Sequence, residues 1–475
     1  MRRRLAVRIA GAALSATSLD TDALADNRNA IQAASDAFGV SVGIEKIGIY
    51  TSDQVRGFSP TTAGNVRIDG LYFDQAGELN KRLTDRSVIR VGIAAQAYPF
   101  PAPTGIVDYR LRTAGSKLAA SGSAGFADYA GPYFDVDLQI PISGHKLGIA
   151  VGLGRKADEF ADGTNSNNRT IALLGDWRLR EGVRFRSFWT QILQRDVEAQ
   201  PLLTVGGAWL PPELTVRKFI GQRWAANRHR ISNAGVLIDV DLGAGRALRG
   251  GLFKSTLTDD SSYSDLFRNV QPDGVADHLI VANPRPGTRS TSGELRLSQT
   301  LNDGPRKHLI NAILRMRERQ AESGGSDAVD FGLTNVLFAE PLPKPPFSFT
   351  AQSNDRVRQL TIGVAYDGYW DSVGRVGFGI QKTGYHKSFN EPGHAPVRSN
   401  DSPLLFYGTL EGQLTHRVAL FASVTRGLEE TGVAPDNAVN RGQPLPAART
   451  RQVDAGISYA LTDNLKLIAA AFNVE

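Results

Sequence analysis

Tyr133-Phe134-Asp135-Val136-Asp137-Leu138-Gln139-Ile140-Pro141-Ile142, then Ser143-Gly144-His145, then Lys146-Leu147-Gly148-Ile149-Ala150-Val151-Gly152-Leu153-Gly154-Arg155, is the stretch whose period decides the fold. Side chains on a strand point alternately to opposite faces. Phe134, Val136, Leu138 and Ile140 therefore fall on one face, and Tyr133, Asp135, Asp137 and Gln139 on the other. A period of two excludes an amphipathic helix, and the short Gly-containing turn between the two runs makes them a hairpin.

The same unit recurs to the end of the chain. Arg180-Glu181-Gly182, Leu242-Gly243-Ala244-Gly245, Asn302-Asp303-Gly304-Pro305, Asp371-Ser372-Val373-Gly374, Thr415-His416-Arg417 and Thr462-Asp463-Asn464 each join two segments with alternating apolar positions. Seven hairpins and a leading strand near Lys117 to Ala127 give about fifteen strands. Between hairpins lie long polar stretches, at 157–169, 195–232, 256–291, 320–356, 387–402 and 427–450. Short turns at one end and long loops at the other mark an outer-membrane barrel, whose polar face lines the lumen and whose apolar face meets lipid. Tyr133, Trp177, Trp189, Tyr366, Trp370 and Tyr407 lie near strand ends, where interfacial girdles or ordinary packing would both accept an aromatic ring.

Composition agrees and narrows the function. A soluble chain of 475 residues would make several domains. No apolar run reaches the roughly 18 residues of a spanning helix, whereas barrel strands leave almost no trace in bulk hydropathy. The net charge of +6 is spread along the chain, which excludes a nucleic-acid partner of the patch-forming kind. With no cysteine there is no disulfide scaffold, thiolate metal site or thiol nucleophile. The seven histidines form no HExxH motif, and neither a P-loop nor a GxSxG elbow is present. His386 and His394 share one loop and are read either as incidental or as contacts to an iron-bearing ligand. The chain is not expected to be an enzyme, and no cofactor or resident metal is expected.

The first 115 residues differ in texture. Met1-Arg2-Arg3-Arg4, the apolar run from Leu5 to Ala16 and Ala23-Leu24-Ala25 read as an export signal over residues 1–25. Ile31, Ala34 and Phe38 have helical spacing, and Gly-dense β-branched pieces between residues 44 and 112 suit a small mixed α/β unit. Asp69-Gly70 is a turn pair, with Gly supplying positive φ.

Gln54-Val55-Arg56-Gly57-Phe58, Gly64-Asn65-Val66-Arg67-Ile68-Asp69-Gly70-Leu71-Tyr72-Phe73, Arg86-Ser87-Val88-Ile89-Arg90-Val91-Gly92 and Thr104-Gly105-Ile106-Val107-Asp108-Tyr109 together resemble the plug domain of TonB-dependent outer-membrane receptors of the siderophore type. The resemblance covers about 65 residues and places Arg56, Gly57, Phe58, Arg67, Asp69, Gly70, Gly92 and Gly105 in plug motifs. It implies a plug over 26–115 and an antiparallel transmembrane β-barrel over 116–475. It further implies energy-coupled uptake of a scarce ligand such as an iron-siderophore complex, with the TonB complex and outer-membrane lipid as partners. Arg56 and Arg67 are expected either to meet lumen carboxylates of the Asp135 or Asp137 type or to be ordinary surface arginines. Tyr98 and Phe100, in a stiff Pro-rich loop, are the expected ligand contacts, with a purely structural turn as the other reading.

Plugged receptors close with 22 strands. Fifteen would leave edges unpaired, so the chain is expected to be an incomplete barrel. A passive porin or non-transporting outer-membrane barrel is the alternative function, favoured by the lack of a clear TonB box between Asp26 and Glu45.

Overall fold

The computed structural model describes residues 40–42, 45–47, 50–53, 55, 58–92, 95, 98–434, 438–440, 443–462 and 465–475. Residues 1–25, the 26–39 segment, Arg56 and Gly57 lie outside that set, so the export signal, the N-terminal helical pattern and two plug-motif positions are not part of the description.

Six short strands come first: β1 (Val40–Val42), β2 (Glu45–Ile47), β3 (Val66–Ile68), β4 (Leu71–Phe73), β5 (Thr84–Arg90) and β6 (Ile106–Leu111). They form one sheet in the order β2-β1-β5-β6-β3-β4, in which β3 and β6 pair in parallel and the rest antiparallel. The β3–β4 hairpin closes on Asp69 (φ 48°) and Gly70 (φ 79°). Two successive positive φ values define the turn whose twist matches paired strands, and Asp-Gly is a favoured sequence for it.

The expected mixed α/β character is corrected: among the described residues this unit contains no α-helix. The segment from Asp74 to Leu83, which follows β4, shows why. Its backbone is engaged elsewhere: the Ala76 N–H donates to Ser255 Oγ at 2.9 Å, Asn233 Nδ2 donates to the Glu78 carbonyl at 2.9 Å, and the Arg82 N–H donates to Asn80 Oδ1 at 2.9 Å. Side chains of the larger sheet and a local bond to Asn80 thus take polar groups that a helix would have paired internally.

The rest of the chain is that larger sheet. It begins with β7 (Ala119–Phe126), β8 (Pro132–Ser143), β9 (Leu147–Glu159), β10 (Asn165–Arg180), β11 (Val183–Glu198) and the short β12 (Pro201–Val205). It continues with β13 (Ala226–Gly243), β14 (Arg246–Val270), the short β15 (Val275–Asn283), β16 (Gly287–Asp303), β17 (Arg306–Ser323) and the short β18 (Asp327–Asn335). It ends with β19 (Ser353–Trp370), β20 (Gly374–Asn390), the short β21 (Val397–Asp401), β22 (Leu404–Thr415), β23 (Val418–Glu429), β24 (Ala448–Thr462) and β25 (Leu465–Val474). Without β12, β15, β18 and β21, fifteen long strands pair antiparallel with their neighbours in chain order, and every hairpin read from the sequence is present. The long strands of this sheet follow one another in chain order from β7 to β25. The strands run longer than the alternating segments seen in sequence. β14 has 25 residues, and its far half pairs with β12 and β15 in an extension built from the long-loop segments.

Alternation sorts the two faces as anticipated. Leu295 and Leu297 point out while Glu294 and Arg296 are buried inside; Leu360, Ile362 and Val364 point out around inward Thr361. Near the short-turn end, Tyr366, Trp370, Phe378 and His308 cluster, with His308 Nδ1 2.8 Å from the Tyr366 hydroxyl. Tyr407 departs from the girdle reading, since its position in the alternation of β22 turns it inward, where it is buried against Phe100.

The N-terminal unit packs on the inner face of this sheet. Phe73, Leu79 and Leu83 share one core with Leu174, Phe188, Leu237 and Phe253 of β10, β11, β13 and β14. β7 is exposed along nearly its whole length, while the unit reaches β8 beside it through Arg82.

The apolar outer band predicts a depth-dependent cost. Ile362→Arg, mid-strand, should lower stability in lipid vesicles by about 2–4 kcal/mol, and Leu414→Arg, beside a short turn, by about 0–1 kcal/mol. Urea titration followed by tryptophan fluorescence reads both, and equal costs would contradict a lipid-facing band.

Candidate functional site at the inner wall

Besides the hydrogen bonds to residues 76–80, the N-terminal unit is held to the inner wall at three clusters of ion pairs among the described residues. At the β3–β4 turn, Arg186 of β11 reaches Asp69 at 2.6 Å and Asp239 at 3.0 Å. Arg249 of β14 donates to the Asp69 carbonyl and Arg296 of β16 to the Gly70 carbonyl, both at 2.9 Å. Asp108 secures the turn from below, accepting the Gly70 N–H at 2.8 Å.

Just beyond β4, Asp74 is buried among donors. Its N–H donates to Ser292 Oγ (2.9 Å), and its carboxylate receives Ser290 Oγ (2.6 Å) and Arg317 Nη1 (3.2 Å), with Arg319 at 3.6 Å. Arg317 also reaches Glu430 at 2.6 Å, and Lys387 bonds the Thr431 carbonyl and pairs with Asp355 at 3.0 Å. The chain of contacts thus runs from the N-terminal unit to the start of the long segment after β23.

The third contact is Arg82, which pairs with Asp135 and, at 2.6 Å, with Asp137, while Arg112 meets Asp137 at 2.7 Å. The two aspartates do receive arginines from the N-terminal unit, as anticipated, but the arginines are Arg82 and Arg112. Arg67 instead lies over the Tyr72 ring, with its carbon 5.1 Å from the centroid, and donates to its neighbour's carbonyl, Val66 O, at 2.9 Å.

The remaining anticipated residues are placed as follows. Tyr98 is buried, its hydroxyl bonded to Asp108 and its ring beneath Arg90. Phe100 (φ 65°) is buried against Ile313, Ala365 and Tyr407, and so anchors the unit to β17, β19 and β22. Phe58 is partly exposed in a bridge with Val55; Gly92 and Gly105 both hold positive φ, at 57° and 91°. His386 and His394 do not converge, contacting Asn400 and Glu391 respectively, and no metal-holding cluster occurs among the described residues. What sequence reasoning missed is the pairing. The arginines and acids on the polar faces of the strands were visible, but which of them face the N-terminal unit follows from where that unit seats.

Two buried carboxyls in the N-terminal unit respond oppositely. Burial drives Asp69 above the usual carboxylate range despite Arg186. Burial also opposes ionisation of Asp74, yet Arg317, Arg319 and the Ser290 hydrogen bond outweigh it and hold that carboxyl below its ordinary value.

No protein-family model and no curated protein sequence matches this chain. Solved structures do. The ferric preacinetobactin receptor BauA of Acinetobacter baumannii superposes with a TM-score of 0.71 at 15% identity, covering 93% of this chain and 67% of the receptor. The siderophore receptor PiuA of the same organism gives 0.70 at 12% identity, over 93% and 69%. FpvA of P. aeruginosa, bound to a heterologous pyoverdine and iron, gives 0.72 at 13% identity, over 92% and 59%. The chain thus has the fold of siderophore receptors and spans roughly two thirds of their length.

Asp74 offers the sharpest test of the contact. Asp74→Ala leaves Arg317 and Arg319 without that acceptor and should cost the docked state about 3–5 kcal/mol, read as lost hydrogen-exchange protection over residues 71–83 at neutral pH. A carboxyl depressed in the folded state stabilises above its unfolded value near 3.9 and loses that contribution as pH falls through the folded value. Asp69, shifted up, has the opposite sign and gains on protonation. The wild-type contact should therefore hold on mild acidification and loosen only below about pH 4, a loss that Asp74→Asn should not show.

Proposed function

We propose that this chain is the plug and barrel of a TonB-dependent outer-membrane receptor for energy-coupled uptake of a scarce ligand, an iron-siderophore complex. On this reading residues 1–25 are the export signal, 26–115 the plug and 116–475 the transmembrane barrel of a Gram-negative outer membrane. The ring formed by β7 through β25 is the pore wall, and its apolar outer band meets lipid. The observation that carries the proposal is the seating of a separately hydrogen-bonded six-stranded unit on the inner wall through a shared apolar core and, beside it, exchangeable ion pairs. Water can replace such contacts one by one, so a pull on the unit's periplasmic end can release it stepwise.

In this mechanism ligand engages the long-loop end, and the change reaches the plug through Glu430, Arg317 and Asp74. The TonB complex, the expected partner on the opposite side, supplies the force, and no bond in the cargo is made or broken. Phe100 stays in the proposed ligand-path set as part of the Pro-rich loop set against β17, β19 and β22, while Tyr98 serves the plug itself by fixing Asp108. The siderophore-receptor fold of the neighbours supports the reading over a passive porin.

The test is fractionation and growth. The protein is expected in the outer-membrane fraction, and deletion of its gene should abolish growth on a ferric siderophore as sole iron source, with rescue by wild type but not by a chain lacking residues 40–115. Recovery in the cytosolic fraction, or unchanged iron-limited growth across a panel of chelates, contradicts the proposal.

A further inference from the structure

Between the N-terminal unit and β17, β19, β20 and β22 lies a cavity of about 60 Å³. One water needs only about 10–15 Å³, so the space admits a small polyatomic group and is far too small for a whole chelate. Gly64, Arg67, Tyr72 and Phe100 line it from the unit; Arg315, Arg317 and Tyr385 line it from the wall.

Two buried polar groups on its lining are unspent. Arg67 is 3% exposed, has no ion-pair partner among the described residues, and makes one hydrogen bond, to Val66 O. Tyr385 is 1% exposed, and its hydroxyl has no hydrogen-bond partner. Arg317 Nε is likewise unbonded. Burying a cation or hydroxyl without a partner is costly, and both groups lie on the lining of this one void.

The local charge has the matching sign. Glu294 is the carboxylate next to Arg67, but its two oxygens are already taken, one by Arg296 and the other by Arg315 at 3.0 Å. Arg315 also lies over the Tyr72 ring, 4.9 Å from its centroid. Three guanidiniums, of Arg67, Arg296 and Arg315, therefore share one carboxylate. Beside them Arg317, Arg319 and Lys387 are balanced by Asp74, Glu430 and Asp355. Glu429 and Arg426 line the cavity as well and cancel, leaving the cluster with two more positive than negative groups. Burial and the neighbouring Arg315 lower the Arg67 guanidinium to about 10, the direction expected where counter-charge is short.

We infer that this cavity is a binding site for a small oxyanion, a carboxylate or phosphate group, received by the Arg67 guanidinium and the Tyr385 hydroxyl. The planar fork of a guanidinium matches two oxygens of such a group, and a phenol adds a third donor. The site is internal to the seated unit and is a different thing from a chelate pocket, so the inference stands or falls apart from the uptake reading.

The experiment is calorimetric titration of the folded full chain in detergent with inorganic phosphate and, separately, with citrate, chloride serving as the control for charge alone. Saturable binding of phosphate alone would assign the site to a free anion, and of citrate alone to a carboxylate arm; either supports the inference. Tyr385→Phe, which removes only the hydroxyl, should weaken binding roughly three- to tenfold, and Arg67→Gln at least about tenfold, with Arg67→Lys in between. Heat-modifiable gel migration confirms that each variant is folded. Absence of saturable binding for both anions, or affinities unchanged in folded Tyr385→Phe and Arg67→Gln, overturns it.

Discussion

Strict alternation along fifteen paired strands is the constraint on which everything else rests. A sheet that must satisfy every backbone N–H and C=O between strands has only its side chains left to vary, and a pleat offers them two faces. Once Leu295 and Leu297 face outward, Glu294 and Arg296 have nowhere to go but the interior. The interior therefore becomes a lining of arginines and acids, too charged to collapse into an ordinary core. It can be filled only by a partner that answers those charges.

The N-terminal unit is that partner, and it answers in two chemistries. Toward β10 to β14 it offers Phe73, Leu79 and Leu83, which join wall residues in a shared apolar core. Toward β16 and β17 it offers Asp74 and the carbonyls of the turn. The apolar side fixes position and the polar side is the one that can exchange with water. A unit bound only by apolar packing would be hard to move, and one bound only by ion pairs would be poorly located.

Much of this was legible in the residues, and the parts that were not share a physical cause. Hairpins such as Ser143-Gly144-His145 and the Asp69-Gly70 turn are local, so period and turn chemistry disclose them. The segment from Asp74 to Leu83 misled a local reading because its conformation is set by Ser255 and Asn233, more than 150 residues away in sequence. Tyr407 stayed open for a similar reason: near a strand end either face accepts an aromatic ring, and packing against Phe100 goes with the inner one. Arg82 and not Arg67 meets the carboxylate pair on β8, because any arginine whose reach is right can do so. Local pattern carries the wall, and only the docking of two surfaces carries the site.

The grip of Arg249 and Arg296 on the β3–β4 turn falls on the carbonyls of Asp69 and Gly70, atoms that every residue type carries. Those two bonds read the shape of the turn and are blind to most of its side chains. Drift in the N-terminal sequence can thus proceed without loss of that hold, provided the turn keeps its two left-handed residues. A barrel of this kind is in effect a socket with a standard fitting, and inner units of divergent sequence could be exchanged between such barrels in chimeras that still seat.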